Sequence, residues 1–318
     1  MAKKKSKDSG DGPTKAAKKA LKLQEELAAV QEKAAEAVAK SPQRLAELLT
    51  VGAGFRLADV DPAGTPGFAG TKADGDAALQ AGAEPLAALQ ERLWAQSRAG
   101  DTRSVLLVVQ GMDTSGKGGI MRHVVGAVDP QGVRHTAFKA PTPQERTHDF
   151  LWRIRRALPE PGEIGVFDRS HYEDVLIVRV HDLAPKAVWQ RRYATINRFE
   201  AGVVAKGTPV VKVMLHISRE EQKQRLAERL ARPDKYWKYN PGDVDERGSW
   251  DAYQEAYQVA LTRCSTQAAP WHVVPADHKW YARWAVQQLL VDALADLDPK
   301  WPVATFDVDV EKARLAAT

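Results

Sequence analysis

The stretch Gly111-Met112-Asp113-Thr114-Ser115-Gly116-Lys117-Gly118-Gly119 carries residue types that hold phosphate. It follows the apolar run Ser104 to Val109 and precedes the helix-compatible run Ile120 to Val128, so it reads as a turn between a strand and a helix. Backbone N–H groups in such a turn have no intrahelical partner; they converge on an anion, and the helix dipole adds favourable potential. The spacing Gly111-x4-Gly116-Lys117 fits the Walker A pattern, with Lys117 placed to reach the outer phosphates and Gly116, Gly118 and Gly119 letting the backbone come close. Gly118 stands where Ser or Thr ordinarily gives a hydroxyl to Mg²⁺, so another group must help hold a metal. Asp113 is that candidate. A carboxylate inside a phosphate cradle is repelled by its ligand unless a divalent cation sits between them. The bland alternative is a surface turn with an incidental lysine.

Two further clusters extend this chemistry. Val166-Phe167-Asp168-Arg169-Ser170-His171-Tyr172-Glu173-Asp174 puts Asp168 at the carboxyl end of an apolar run, where a Walker B acid orients Mg²⁺ or its water. Asp168 and Asp113 would then share one cation, with Arg169 clamping an oxygen of the phosphoryl group in transfer. The alternative for Asp168-Arg169 is a strand-end ion pair; His171 reads as a hydrogen-bonded structural histidine, since phosphoryl transfer depends on positioning and charge. The third cluster follows Ser218: Arg225, Arg229 and Arg232, then Pro233-Asp234-Lys235-Tyr236-Trp237-Lys238. Arg225 and Arg229 are four apart and share a helical face. A cationic helix that breaks at Pro and continues with Lys and aromatics fits a lid over a polyanion; a solvated charged helix is the other reading.

The elements that must position these clusters are legible as alternating periods. Strands are expected at Ser104 to Val109, Val133 to Lys139, Ile164 to Asp168, Pro209 to Ile217 and Trp271 to Pro275. Between them lie helices: Thr142-Pro143 caps one running to about Leu158, and Pro185 to Lys206 forms another with Val188, Tyr193, Ile196, Phe199 and Val203 inward. Ser218-x-x-Glu221 is a capping box, and His278 to Leu297 the last helix. Strands spaced by helices imply an α/β fold, a parallel sheet covered on both faces, with ligands beyond the carboxyl ends of the strands. Glu84 to Ser97 is a helix beside this core, Val51 to Gly82 a Gly/Pro/Asp-rich irregular cover segment, and 299–318 a tail. Residues 1–16 read as a disordered basic arm and Lys18 to Lys40 as a solvated helix.

The formal charge of +5 over 318 residues is carried by the first twenty, which hold seven Lys and two Asp; the remainder is formally neutral. The pI of about 9.1 therefore does not signal a nucleic-acid-binding domain. One cysteine, Cys264, excludes an intrachain disulfide or a cysteine-based zinc cluster and suits a reducing compartment. No stretch approaches a membrane span, and the N-terminal lysines precede no apolar signal region, so a cytoplasmic protein is expected.

Together the clusters resemble the polyphosphate kinase 2 family, whose members show Gly-x-Asp-x-x-Gly-Lys-Gly/Asp-Gly, Asp-Arg-Ser-x-Tyr-Glu-Asp and an Arg-rich lid ending Pro-x-Lys-x-Trp-Lys. Here these are Gly111 to Gly119, Asp168 to Asp174 and Arg225 to Lys238, with connecting segments such as Pro141-Thr142-Pro143, His148 to Arg153 and Pro275 to Trp280 also similar. The resemblance runs from about Phe55 to Leu297, and Gly118 is normal within it. It implies a P-loop kinase-like core at about 101–298 with a helical lid at about 218–245, and Mg²⁺-dependent, reversible transfer of the terminal phosphoryl of inorganic polyphosphate to a nucleotide. ADP is the expected acceptor, with AMP as well and GDP as a further possibility, because Pro141 to Arg153 look closer to members that take monophosphates. Carried over, Asp113 and Asp168 hold the metal, Lys117 and Arg169 neutralise the phosphoryl in flight, and Arg122, Arg134 and Lys139 are further phosphate contacts. Arg229, Lys235 and Lys238 close over the phosphates and exclude water. The resemblance also implies a homo-oligomer, dimer or tetramer. Two rivals stay open on the residues alone: an ATP-dependent nucleoside monophosphate kinase on the same scaffold, and a nucleic-acid-binding P-loop regulator working through the lysine-rich arm.

Overall fold

The computed structural model describes residues 44–318; the basic arm and the helix expected at Lys18 to Lys40 lie outside them. In chain order the helices and strands are α1 (Leu45–Leu49), α2 (Lys72–Ala81), α3 (Ala83–Arg98), β1 (Val105–Gly111), α4 (Lys117–His123), β2 (Val133–Ala137), α5 (Trp152–Arg156), β3 (Ile164–Asp168), α6 (Ile177–Val180), α7 (Lys186–Val204), β4 (Val210–His216), α8 (Arg219–Ala231), α9 (Gly242–Glu246), α10 (Trp250–Cys264), β5 (Trp271–Pro275), α11 (Lys279–Leu297) and α12 (Val308–Ala316). All five expected strands form, and they pair in parallel in the order β2-β3-β1-β4-β5.

The period-2 geometry of a strand explains the two layers. Leu106 and Val108 of β1 face one core with Met214, Trp271 and the α7 and α10 side chains Tyr193, Ile196, Ala256 and Leu261. Val105, Leu107 and Val109 face the other, with Val213, Ile120 of α4, Leu86 and Leu93 of α3, and the apolar face of α11. Burial on both faces is why β1 and β4 are buried along their whole length and why their sequences read as unbroken apolar runs. At the β5 edge, Val51 donates its amide to Trp271 O at 2.8 Å, so the segment before the core closes that side.

Several local expectations are corrected. The segment Val51 to Gly82 is not irregular throughout: α2 forms at its end, opened by a capping box in which Thr71 and Asp74 exchange side-chain and backbone hydrogen bonds. The continuous helix expected from Thr142 to Leu158 is absent. Thr142 and Glu145 make the reciprocal capping contacts, but only one tight turn follows, and Asp149 caps a second start through the Leu151 amide. The run Ile120 to Val128 divides into α4 and a short turn at Val125–Ala127. Val188, expected inward, is 44% exposed. At Ser218 the capping box is half made: Ser218 Oγ accepts from the Glu221 amide, yet the Glu221 carboxylate turns to Arg225 Nε at 2.8 Å, and Asp277 takes the Ser218 amide instead.

Candidate active site

The glycine-rich turn joins β1 to α4 beyond the carboxyl end of the central strand, with Gly111 in register with Leu215 of β4. Two positions require glycine. Gly111 has φ +156°, and a Cβ there would lie 2.5 Å from Ser115 Oγ and 2.9 Å from Leu215 O; Gly116, with φ +116°, turns the chain into α4. Thr114 adopts φ +63° without being glycine, a strained state that persists only where neighbours enforce it. Arg225 of α8 does so. Buried, it donates from Nη1 to Thr114 O (2.9 Å) and Ser115 O (3.1 Å), and from Nη2 to Ala276 O (2.6 Å) and Asp277 O (2.9 Å). Gln222 Nε2 adds a bond to Asp113 O at 3.1 Å. The loop is thus latched to α8 and to the β5–α11 turn together.

Lys117 Nζ donates to Gly111 O at 2.6 Å and Met112 O at 3.2 Å. Burial draws its ammonium below the ordinary lysine value, against the pull of Asp113. A cation underprovided with anions at this place has more to gain from a phosphate oxygen than an exposed lysine has. Asp168 pairs with Val109 one strand over. Arg169 follows in the left-handed region at φ +61°, its amide held by Val109 O at 3.1 Å and its guanidinium Nη2 3.1 Å from Asp113 Oδ1. Asp113, Lys117, Asp168 and Arg169 therefore come together at the ends of two adjacent central strands.

Beneath this turn lies a buried polar network. Glu200 of α7 accepts from Tyr172 Oη at 2.8 Å and Lys212 Nζ at 2.6 Å and pairs with His171 Nε2 at 3.0 Å; Lys212 also donates to Tyr172 Oη and to Cys264 O. Burial alone would raise the Glu200 carboxyl, but the Lys212 ammonium and the His171 hydrogen bond outweigh it and hold the group below the usual carboxylate range. His171 is a structural histidine, as expected, and Cys264 is a fully buried thiol whose pKa burial pushes to about 12.

A cavity of about 440 Å³ opens over the loop. Nine lysine and arginine side chains line it against three carboxylates, Asp113, Asp168 and Glu228. Of the residues singled out in the sequence, Lys117, Gly116, Gly118, Gly119, Arg122, Arg229, Lys235 and Lys238 all face it. Arg229 spans the lid, donating to Lys238 O at 2.8 Å and lying 3.1 Å from Asp243 Oδ2. Arg134 and Lys139 do not join them: they line a separate hollow beyond β2 with Arg153 and Trp152, where Arg134 pairs with Glu160.

On the other side of Asp113 is a second, smaller pocket of about 220 Å³ that includes Arg169, Glu173, Asp243, Glu246 and Tyr257. Burial raises the carboxyls of Glu173 and Asp243, against the nearby Arg169. Asp113 belongs to both hollows, with Arg169 paired to it at the seam.

Four contributors do not declare their role in the sequence. Arg225 reads by its spacing as part of the lid, but it is fixed to the loop. Lys279 and Arg283 of α11 face the cationic cavity; their signal was present, because two cations in the first turn and a half of a helix oppose the positive end of its dipole and need an anion to justify them. Glu173 stands inside the Asp-Arg-Ser motif but carries no cue separating it from a surface acid.

The family model described as polyphosphate kinase 2 matches residues 70–302. The chain belongs to the polyphosphate kinase 2 family. Among its relatives, the AMP/ADP-polyphosphate phosphotransferase of Meiothermus ruber is 46% identical over 78% of this chain and 91% of that protein. The ADP-polyphosphate phosphotransferase of Rhodopseudomonas palustris is 42% identical over 71% and 81%. The crystal structure of polyphosphate kinase 2 from Arthrobacter aurescens TC1 superposes with a TM-score of 0.85 at 58% identity, covering 87% of this chain and 98% of that one. The five-stranded parallel sheet flanked by helices is thus the P-loop kinase-like fold of the family.

Proposed function

We propose that the protein transfers the terminal phosphoryl group of inorganic polyphosphate to ADP and to AMP. The observation that carries this reading is the cavity over the loop, in which nine cationic side chains face three carboxylates although the chain outside its first twenty residues is formally neutral. A polyanion without a base to recognise is held by such a surplus of charge. The relatives named for AMP/ADP and ADP phosphotransfer support the acceptor range.

In this reading polyphosphate lies in the cationic cavity, its terminal group at the loop amides of Gly116 and Gly118 and at Lys117. The acceptor phosphate approaches from the smaller pocket toward Arg169, and the phosphoryl crosses the seam at Asp113. Asp113 and Asp168 fit a divalent cation, for which we infer Mg²⁺: both line the same cavity, hard oxygen donors suit that ion, and Asp113 currently balances its charge against Arg169. Bound there, the ion would neutralise charge on the phosphate oxygens. Arg169, held in its strained backbone, presents a fixed fork to the equatorial oxygens. Lys235 and Lys238 shut the cavity to water, so that the acceptor rather than hydroxide takes the phosphoryl. A homo-oligomer is also inferred, supported by Trp301, Val303 and Phe306 standing 57%, 89% and 61% exposed near the C-terminal end.

The test is ATP formation from ADP, and ADP formation from AMP, with polyphosphate as sole donor. Product from both is expected, with Lys117→Ala losing about 10²–10³-fold or more in turnover while remaining folded. Transfer from ATP alone would overturn the polyphosphate reading.

A further inference from the structure

At the opposite end of the sheet from the loop, against the amino ends of β1, β3 and β4, lies a hollow of about 700 Å³, more voluminous than the cavity over the loop. Its volume is that of a site for a small organic ligand. Arg155, Arg198 and Lys206 line it and no carboxylate does. Arg155 reaches Asp149 at 2.9 Å, whereas Arg198 and Lys206 form no ion pair among the described residues. Phe199, Leu158 and Pro159 give it an apolar wall, and the paired hydroxyls of Ser104 and Thr208, 2.7 Å apart, sit at its base.

On the α7 side of the hollow Thr195, Phe199 and Gly202 fall on one stripe at helical spacing, and Lys206 follows in the turn that ends the helix. Gly202 is the unexpected member. A Cβ there would meet nothing within 4 Å, so packing does not require glycine, although glycine costs a helix about 0.5–1 kcal/mol relative to alanine. Its missing side chain leaves the space between Arg198 and Lys206 open. Phe199 in turn packs against the buried network beneath the Asp168-Arg169 turn, its ring 5.6 Å from that of the structural His171, and the next residue is Glu200 of that network.

We propose that this hollow is a second nucleotide site, separate from the site of transfer, which takes the base against Phe199 and Pro159 and the phosphates at Arg198, Lys206 and Arg155. The choice of a nucleotide over other aromatic anions rests on the function proposed above. Occupancy presses on Phe199 and through His171 on the turn that carries Asp168 and Arg169, so product nucleotide modulates turnover from the far side of the sheet.

Equilibrium dialysis of labelled ATP against the full chain, without polyphosphate or divalent metal, tests this. Two moles per chain are expected. Gly202→Leu fills the hollow and Arg198→Glu with Lys206→Glu reverses its charge; each should weaken the second mole by about tenfold or more while leaving the first mole and low-nucleotide turnover unchanged. One mole in the unaltered protein, or a second mole that survives both variants, overturns the proposal. So does a change of sedimentation state in the variants, which would make the hollow a contact between copies. Absence of polyphosphate-driven turnover with the second mole intact would strike the proposed reaction and spare this site.

Discussion

Lys212 occupies the middle of a central strand, where a charge is costly, and its side chain is fully buried beside an equally buried Glu200. Two desolvated ions gain little over a well-packed apolar pair, but either one alone is strongly unfavourable. Lys212→Met should therefore cost about 3–5 kcal/mol in urea unfolding, and Lys212→Met with Glu200→Gln should recover most of that. A double variant no better than the single one would show that packing, rather than pairing, is what Lys212 supplies. The same carboxyl gives a pH signature. Because Glu200 is held below its unfolded value of about 4.3, its contribution is fully present above that value and is lost as pH falls through the lower, folded one. Acid unfolding below about pH 4 should be shallower in Glu200→Gln, as read by circular dichroism. Function enters because Tyr172 and His171 are members of the network: Glu200→Gln should lower kcat more than it raises KM, since it loosens Arg169, whose fork acts on the phosphoryl group in transfer, and leaves the cationic cavity that binds the donor in place.

At the scale of elements, α8 does two jobs that its sequence does not separate. Its first half is an anchor, with Gln222 and Arg225 bonded to the loop; its second half, with Arg229, leads into the lid. Arg225→Ala removes four bonds to carbonyls and should destabilise the protein by about 2–4 kcal/mol while also raising KM for polyphosphate. Arg225→Lys should rescue little, because a single ammonium cannot reach two carbonyls on the loop and two on the β5–α11 turn. Full activity in Arg225→Lys would mean that the latch is dispensable. The strands, the loop and the Asp168 turn were legible because each rests on local pattern: apolar runs buried on both faces, glycine spacing and an acid at a strand end. What was not legible depended on distant partners. Arg225 and Arg229 share a helical face at i, i+4, yet one meets the loop and the other Asp243. Ser218 looks like a full capping box until Asp277, far along the chain, takes over half of it. The helix expected after Thr142 stops because Asp149 offers its side chain to the backbone and competes with helix propagation. Arg134 matched a phosphate contact by type, and its place on the edge strand removed it from the loop.

For the molecule as a whole, charge placement matters more than net charge. The chain beyond residue 20 is formally neutral, yet the cavity over the loop gathers nine cations, four of them (Arg122, Arg225, Lys279 and Arg283) from the α4 and α11 side and the underlying α8. The cavity therefore carries a formal surplus of six cations while the rest of the chain beyond residue 20 carries six excess carboxylates, so donor binding depends on a field confined to that cavity. Such a field acts over about 10 Å at 0.1 M salt and is progressively screened above it. KM for polyphosphate should rise on the order of tenfold between 50 and 500 mM NaCl, because each phosphate contact adds to the salt dependence, while KM for ADP should change within about twofold. Lys279→Ala with Arg283→Ala should raise KM for polyphosphate at low salt and flatten its salt dependence, with kcat little altered, since these side chains lie along the donor path and away from Asp113 and Arg169. If the double variant lowered kcat and left the salt dependence of KM unchanged, these charges would be acting on the transferring group, and the donor path would have to be drawn elsewhere in the cavity.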